Sequence, residues 1–184
     1  MQRVVALVLF VLVLAGGVLA VPAARSASPD IVVSQVFAGG GNAGAPFQND
    51  FVELFNRGST AIDVGGWTIQ YASATGTTWQ ATALAGSIAP GRRYLVQLAS
   101  AAAVGSVLPT PDATGTINLH PVDGKVAIVN GVNALSGACP TTNPTIADFV
   151  GYGNGGCFEG STPVTGMGIT VSAKRNGTGC FDTD

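Results

Sequence analysis

Between residues 30 and 174 the chain is a succession of short apolar–polar alternations separated by turn-rich connections. Ile31–Phe37 places Ile31, Val33 and Phe37 on one face, with Gln35 as a polar exception. Phe51–Asn56 sets Val52 and Leu54 against Phe51, Glu53 and Phe55. Trp67, Ile69 and Tyr71 share a face opposite Thr68 and Gln70, and Tyr94, Val96 and Leu98 repeat the arrangement with Gln97 facing out. Residues 125–130, Ile146–Tyr152 and residues 169–174 complete the set, with 78–82 as a weaker candidate. A period of two marks a strand, because successive side chains leave opposite faces of the extended backbone. Helical pattern is scarce: the alanine-rich stretch 99–104 is bounded by Gly105 and Pro109 and has room for a single turn. The connection from Leu98 to Lys125 holds Pro109, Pro111 and Pro121 and leaves space for one edge strand at 116–119. About seven or eight short strands with glycine-rich turns predict an all-β, immunoglobulin-like β-sandwich around one core. Trp67 and the other aromatic residues would supply much of that core.

The amino end does not follow this pattern. Arg3 precedes an unbroken apolar run over residues 4–15, broken by Gly16-Gly17 and followed by the small residues Ala20, Ala23, Ala24 and Ala27. That order is the layout of a secretory signal peptide. A membrane anchor needs about 20 apolar residues, and Gly-Gly followed by Pro22 interrupts any extension. Residues 1–27 therefore read as a leader cleaved between Ala20 and Ala27, leaving residues 28–184 as one domain with no stable membrane span. The mature protein is expected to be secreted.

Loss of Arg3 and Arg25 with the leader takes the formal charge from −2 to about −4. Affinity for nucleic acid comes largely from Lys and Arg neutralising phosphates, so autonomous nucleic-acid binding is not expected. The remaining basic pairs, Arg92-Arg93 and Lys174-Arg175, read as solvated turn or strand ends. Charged residues make up only 10% of the chain, against roughly 25% in ordinary soluble domains. Such a composition is that of neither a disordered chain nor a basic nucleic-acid binder, because disorder goes with low hydrophobicity and high net charge.

Several motifs occur in a fixed order. Asn49-Asp50-Phe51-Val52-Glu53-Leu54-Phe55-Asn56 is followed by Gly66-Trp67 and an alternating strand, then by Ala89-Pro90-Gly91 ahead of Tyr94-Leu95-Val96. Later come Asp148-Phe149-Val150-Gly151-Tyr152-Gly153, Cys157-Phe158-Glu159-Gly160, and Lys174-Arg175 ahead of Asp182-Thr183-Asp184. This ordered set resembles the lamin tail domain, an immunoglobulin-like β-sandwich of nuclear lamins and of many secreted bacterial proteins. The resemblance covers nearly all of the mature chain. It implies the secreted bacterial variety, which often sits ahead of an endonuclease/exonuclease/phosphatase-type nuclease domain or another extracellular hydrolase. The chain stops at Asp184, inside an Asp-Thr-Asp run that family members continue with Asn and Asp. It therefore reads as a stand-alone module or as a C-terminally truncated piece of a longer protein.

Few residues suggest chemistry. Asp182 and Asp184 are spaced as alternating carboxylates able to converge on calcium, but that ion takes six to eight oxygen ligands, and a solvated chain end is the plainer reading. No other cofactor is expected. Glu53, mid-strand among apolar residues, reads as the partner of a basic side chain such as Arg57 or Arg175, because buried charge persists only when paired. Asp50 and Asn56 read as turn-closing residues, since Asp and Asn side chains bond nearby backbone. His120 is the sole histidine. It excludes a multi-imidazole metal site within the chain, and it has no nucleophile-elbow serine to serve. The run Gly39-Gly40-Gly41 lacks the Lys-Ser/Thr ending of a phosphate loop.

In an exported chain, Cys139, Cys157 and Cys180 are candidates for disulfide pairing. Pairing of Cys139 with Cys157, which would enclose one strand, is preferred over either pairing with Cys180. The function expected is a non-catalytic binding or tethering module. Its partner would be another protein, a cell-surface polymer or a tethered hydrolase domain. The alternative is an N-terminal accessory domain of a secreted nuclease of the type named above, with the catalytic part missing here.

Overall fold

A computed structural model describes residues 30–179. Its strands are β1 (Ile31–Phe37), β2 (Phe51–Asn56), β3 (Ile62–Asp63), β4 (Thr68–Ala72), β5 (Gln80–Ala83), β6 (Ser87–Ile88), β7 (Arg93–Gln97), β8 (Ala113–Thr114), β9 (Gly124–Val129), β10 (Ile146–Tyr152) and β11 (Ala173–Lys174); one turn of helix, α1 (Asn176–Gly179), follows. They assemble into a five-stranded sheet of order β11-β1-β2-β7-β8, a four-stranded sheet of order β10-β9-β4-β5 and a short β3-β6 ribbon. Pairing is antiparallel except between β7 and β8. The two larger sheets pack face to face as an immunoglobulin-like β-sandwich.

The inner faces meet through Val33, Val52, Leu54 and Val96 on one side and Ile69, Val126, Ile128 and Tyr152 on the other. Each outer face carries a second apolar cluster beneath long connections. On the five-stranded sheet it is Phe37, Ala45 and Phe51, with Phe47, Leu95 and Leu108 packed against them. On the four-stranded sheet Trp79, Leu135, Phe149 and Cys157 cover Ala127 and Val129. Both sheets are thus apolar on two faces, which is why β4 and β9 are buried at every position.

Several expectations need correction. The face assigned to β1 is wrong beyond Val33: a register shift between Val33 and Gln35 reverses the alternation. Val36 then enters the central core and Phe37 turns outward against Phe51 and Phe47, with ring centroids 5.5 Å from each. A bulge adds one unpaired residue to a strand and so changes which face follows. Trp67 is only half-buried at the rim of the core, and Trp79 is the buried tryptophan.

Thr68 and Gln70 are buried beneath the connection that follows β9, where Gln70 Nε2 donates to Thr68 Oγ1 and to the Asn133 carbonyl while its Oε1 accepts from Leu135 N–H. No strand forms at 116–119. The short edge strand is β8, and Ile117 and Leu119 instead enter the core as irregular backbone. Stretch 99–104 is not helical, because Ala99 and Ala101 donate to the carbonyls of Ile117 and Gly40. Of residues 169–174 only β11 is strand.

Candidate functional site

On one side of the sandwich the edges of the two sheets, β1 and β10, face each other. Asp148 lies at a register shift between β10 and β9 and is fully buried. Its Oδ2 accepts from Val33 N–H at 2.6 Å, and its Oδ1 accepts from Phe149 N–H at 2.9 Å. Arg175, just past β11, donates from its guanidinium to Asp148 Oδ1 at 2.6 Å and from Nε to the Val33 carbonyl at 2.9 Å. One ion pair therefore occupies both backbone groups of the residue where β1 bulges. It replaces the strand pairing that this edge lacks, since β11 reaches only Gln35 and Val36.

A second ionic cluster sits on the outer face of the five-stranded sheet. Glu53 on β2 is ion-paired with Arg93 on β7 and accepts from Ser34 Oγ at 2.6 Å. The Arg93 guanidinium also lies 5.5 Å over the Phe55 ring. The partners expected for Glu53, Arg57 or Arg175, are not the ones found: Arg93, opposite Phe55 on β7, is its diagonal neighbour across the β2–β7 pairing, whereas Arg175 holds Asp148. The two basic pairs, read as solvated ends, each contribute one arginine to such a contact.

At one end of the sandwich Asp50 is buried just ahead of β2. Its carboxylate accepts from Gly40 N–H at 2.8 Å and Leu119 N–H at 2.9 Å, joining two long loops. Burial pushes its pKa up to about 6, although these two N–H bonds oppose the shift. Nearby, Tyr152 donates to the His120 carbonyl at 2.9 Å, and Tyr71 accepts from His120 N–H at 3.1 Å. Desolvation raises the pKa of both phenols. The His120 ring is half-exposed and meets Asp123 at 2.9 Å.

Asn56 binds the Thr60 and Ile88 carbonyls and accepts from Gly58 N–H, closing the turn after β2. Lys125, although on a strand, is fully buried. Its ammonium donates to the Gly76 and Ala138 carbonyls at 2.8 and 2.7 Å and lies 5.5 Å over Trp79, and burial lowers its pKa. Cys139, next to Ala138, is disulfide-bonded to Cys157. Cys180, Asp182 and Asp184 lie outside the described residues. Among the described residues no cluster of three or more His, Cys, Asp or Glu side chains is placed to hold a metal ion.

Sequence reasoning missed Asp148 and Lys125, and it gave Arg175 to Glu53 rather than to Asp148. Asp148 had a usable signal: it shares parity with Val150 and Tyr152, so an inward carboxylate called for a cation. Lys125 had none, because its partners are carbonyls from two distant loops.

A half-open cleft of about 290 Å³ opens beside the Asp148–Arg175 pair, between β1, β10, the segment 159–164 and the residues around β11.

Two face-packed, largely antiparallel sheets with loop-covered outer faces define an immunoglobulin-like β-sandwich module. A family model described as Lamin Tail Domain matches residues 24–139, and the chain belongs to that family. No curated protein matches the chain. The seam strand β10, the disulfide partner Cys157 and Arg175 all lie beyond the matched stretch.

Proposed function

We propose that this chain is a secreted, non-catalytic binding or tethering module. The observation that carries this reading is the placement of its charged groups. Asp148 with Arg175, Glu53 with Arg93, Asp50 with two loop amides and Lys125 with two carbonyls all hold backbone or one another. Catalytic acids and bases must instead face a substrate within hydrogen-bond reach. The leader pattern of residues 1–27 supports export, as does the Cys139–Cys157 disulfide, because such bonds persist in oxidising compartments. The partner in this reading is a neighbouring protein domain, a hydrolase among them, or a cell-surface polymer. No cofactor enters it.

The test uses the purified mature domain, residues 28–184, incubated with single- and double-stranded DNA in magnesium or calcium. Intact DNA is the expected result. Turnover that co-purifies with the folded domain would contradict the reading.

A further inference from the structure

The cleft beside the seam contains an interrupted strand ladder. Val164 pairs in parallel with β10 at Tyr152, donating to the Gly151 carbonyl at 2.9 Å and accepting from Gly153 N–H at 2.8 Å. The next outward-facing groups along β10 are the Gly151 N–H and the Phe149 carbonyl. Their orientation follows from the alternation of the strand: the Gly151 carbonyl reaches Val164 and the Phe149 N–H reaches Glu159 Oε2, so both residues point away from β9. Thr162 is the residue that would continue the ladder, yet it makes neither bond. Among the described residues the Gly151 N–H and the Phe149 carbonyl have no hydrogen-bond partner, and both residues are buried. Buried unpaired backbone groups are rare in folded proteins.

The cleft opens at this interruption, lined by Phe149, Gly151 and Thr162. Its walls carry one carboxylate, Glu159, and two cationic groups, the exposed Lys174 and Arg175, whose guanidinium is already paired with Asp148. Gly151 also admits no side chain, because a Cβ there would stand 2.0 Å from the Cys157 carbonyl oxygen. The backbone edge, not a side chain, is what this stretch of β10 offers.

We propose that this cleft takes an extended polypeptide segment of a partner protein, which adds a short strand to β10 through the Phe149 carbonyl and the Gly151 amide. An unpaired donor and acceptor at ladder spacing match a peptide backbone, and main-chain bonding to a sheet edge is an established mode of peptide capture. The inference rests on the binding-module reading and names its site and partner chemistry.

The test is an amide-resolved NMR titration of the labelled mature domain with the blocked peptide acetyl-Ala-Thr-Val-Thr-Ala-amide. The account expects saturable shifts at Gly151 and its neighbours on β10. The same peptide N-methylated at valine should bind about tenfold more weakly, having lost one backbone hydrogen bond. Thr162→Trp, at an exposed loop position that fills the cleft, should abolish the shifts while leaving the rest of the spectrum in place. Absence of shifts at millimolar peptide, equal binding of the N-methyl peptide, or shifts confined to another surface would each overturn the proposal. So would a disaccharide probe that perturbs Gly151 when the peptide does not. None of these results involves DNA turnover, so the site can fail without the non-catalytic reading failing, and the reverse.

Discussion

Asp50 joins two long loops, accepting from Gly40 N–H in one and from Leu119 N–H in the other. Its carboxylate is buried, so the folded protein favours the protonated form more than the unfolded chain does, and the pKa moves from 3.8 to about 6. The stability linked to this shift is fully present below pH 3.8 and is lost as the pH rises through about 6. A displacement of that size corresponds to about 3 kcal/mol. Asp50→Asn has no titration at this position. The stability difference, wild type minus variant, should therefore fall by about 2 kcal/mol between pH 4 and pH 7, measured by urea unfolding at each pH. A difference that stays flat across this range would show that Asp50 titrates alike in both states. Lys125 follows the same physics with the opposite sign: burial disfavours its ammonium, and two carbonyls and the Trp79 face offset part of that cost.

Strands β1 and β10 meet edge to edge, and the Asp148–Arg175 pair stands where a strand would otherwise lie. Removing one member of a buried ion pair leaves the other without compensation, at a cost of about 3–5 kcal/mol. Asp148→Ala also strips an acceptor from the Val33 and Phe149 amides, so it should fall in that range. Arg175→Ala should cost less, because the carboxylate keeps those two amides. The double variant should deviate from additivity by about 0.5–3 kcal/mol in a denaturant double-mutant cycle. Strict additivity would mean that the two residues act independently.

This tie also explains what was legible in the sequence. The long strands β1, β2, β7, β9 and β10 follow from alternation, because one face of each meets the common core. The bulge in β1 was not legible, since it depends on an aspartate 115 residues away that accepts the Val33 amide. For the same reason Phe37 was assigned to the wrong face. Gln70 and Thr68 lie on the face opposite Ile69 and Tyr71, as alternation places them, but nothing local indicates that the connection after β9 covers them. Glu53 was recognisable as an ion-pair member from its isolation among apolar residues. Which arginine it meets is set by the β2–β7 register, and nothing local in the sequence indicates that register.

The two sheets are completed late in the chain. β10 is the outer neighbour of β9, and β11 with Arg175 closes the edge of β1. A fragment ending at residue 139 retains most of the family's matched stretch. It nevertheless leaves β9 with one bare edge and exposes Ala127, Val129 and Trp79, which Phe149 and Cys157 cover in the whole domain. It also deprives Lys125 of the stable Ala138 carbonyl that the disulfide anchors. Exposed strand edges and an uncovered apolar face favour association over folding. Closure by residues 140–179 is therefore a condition of one cooperative module whose charged groups serve the fold. The most direct measurement is urea unfolding of residues 28–184 and 28–139 side by side, followed by tryptophan fluorescence and circular dichroism. The account predicts a single coincident transition for the longer chain and no cooperative transition for the shorter. A fragment 28–139 that unfolds cooperatively with comparable stability would contradict it.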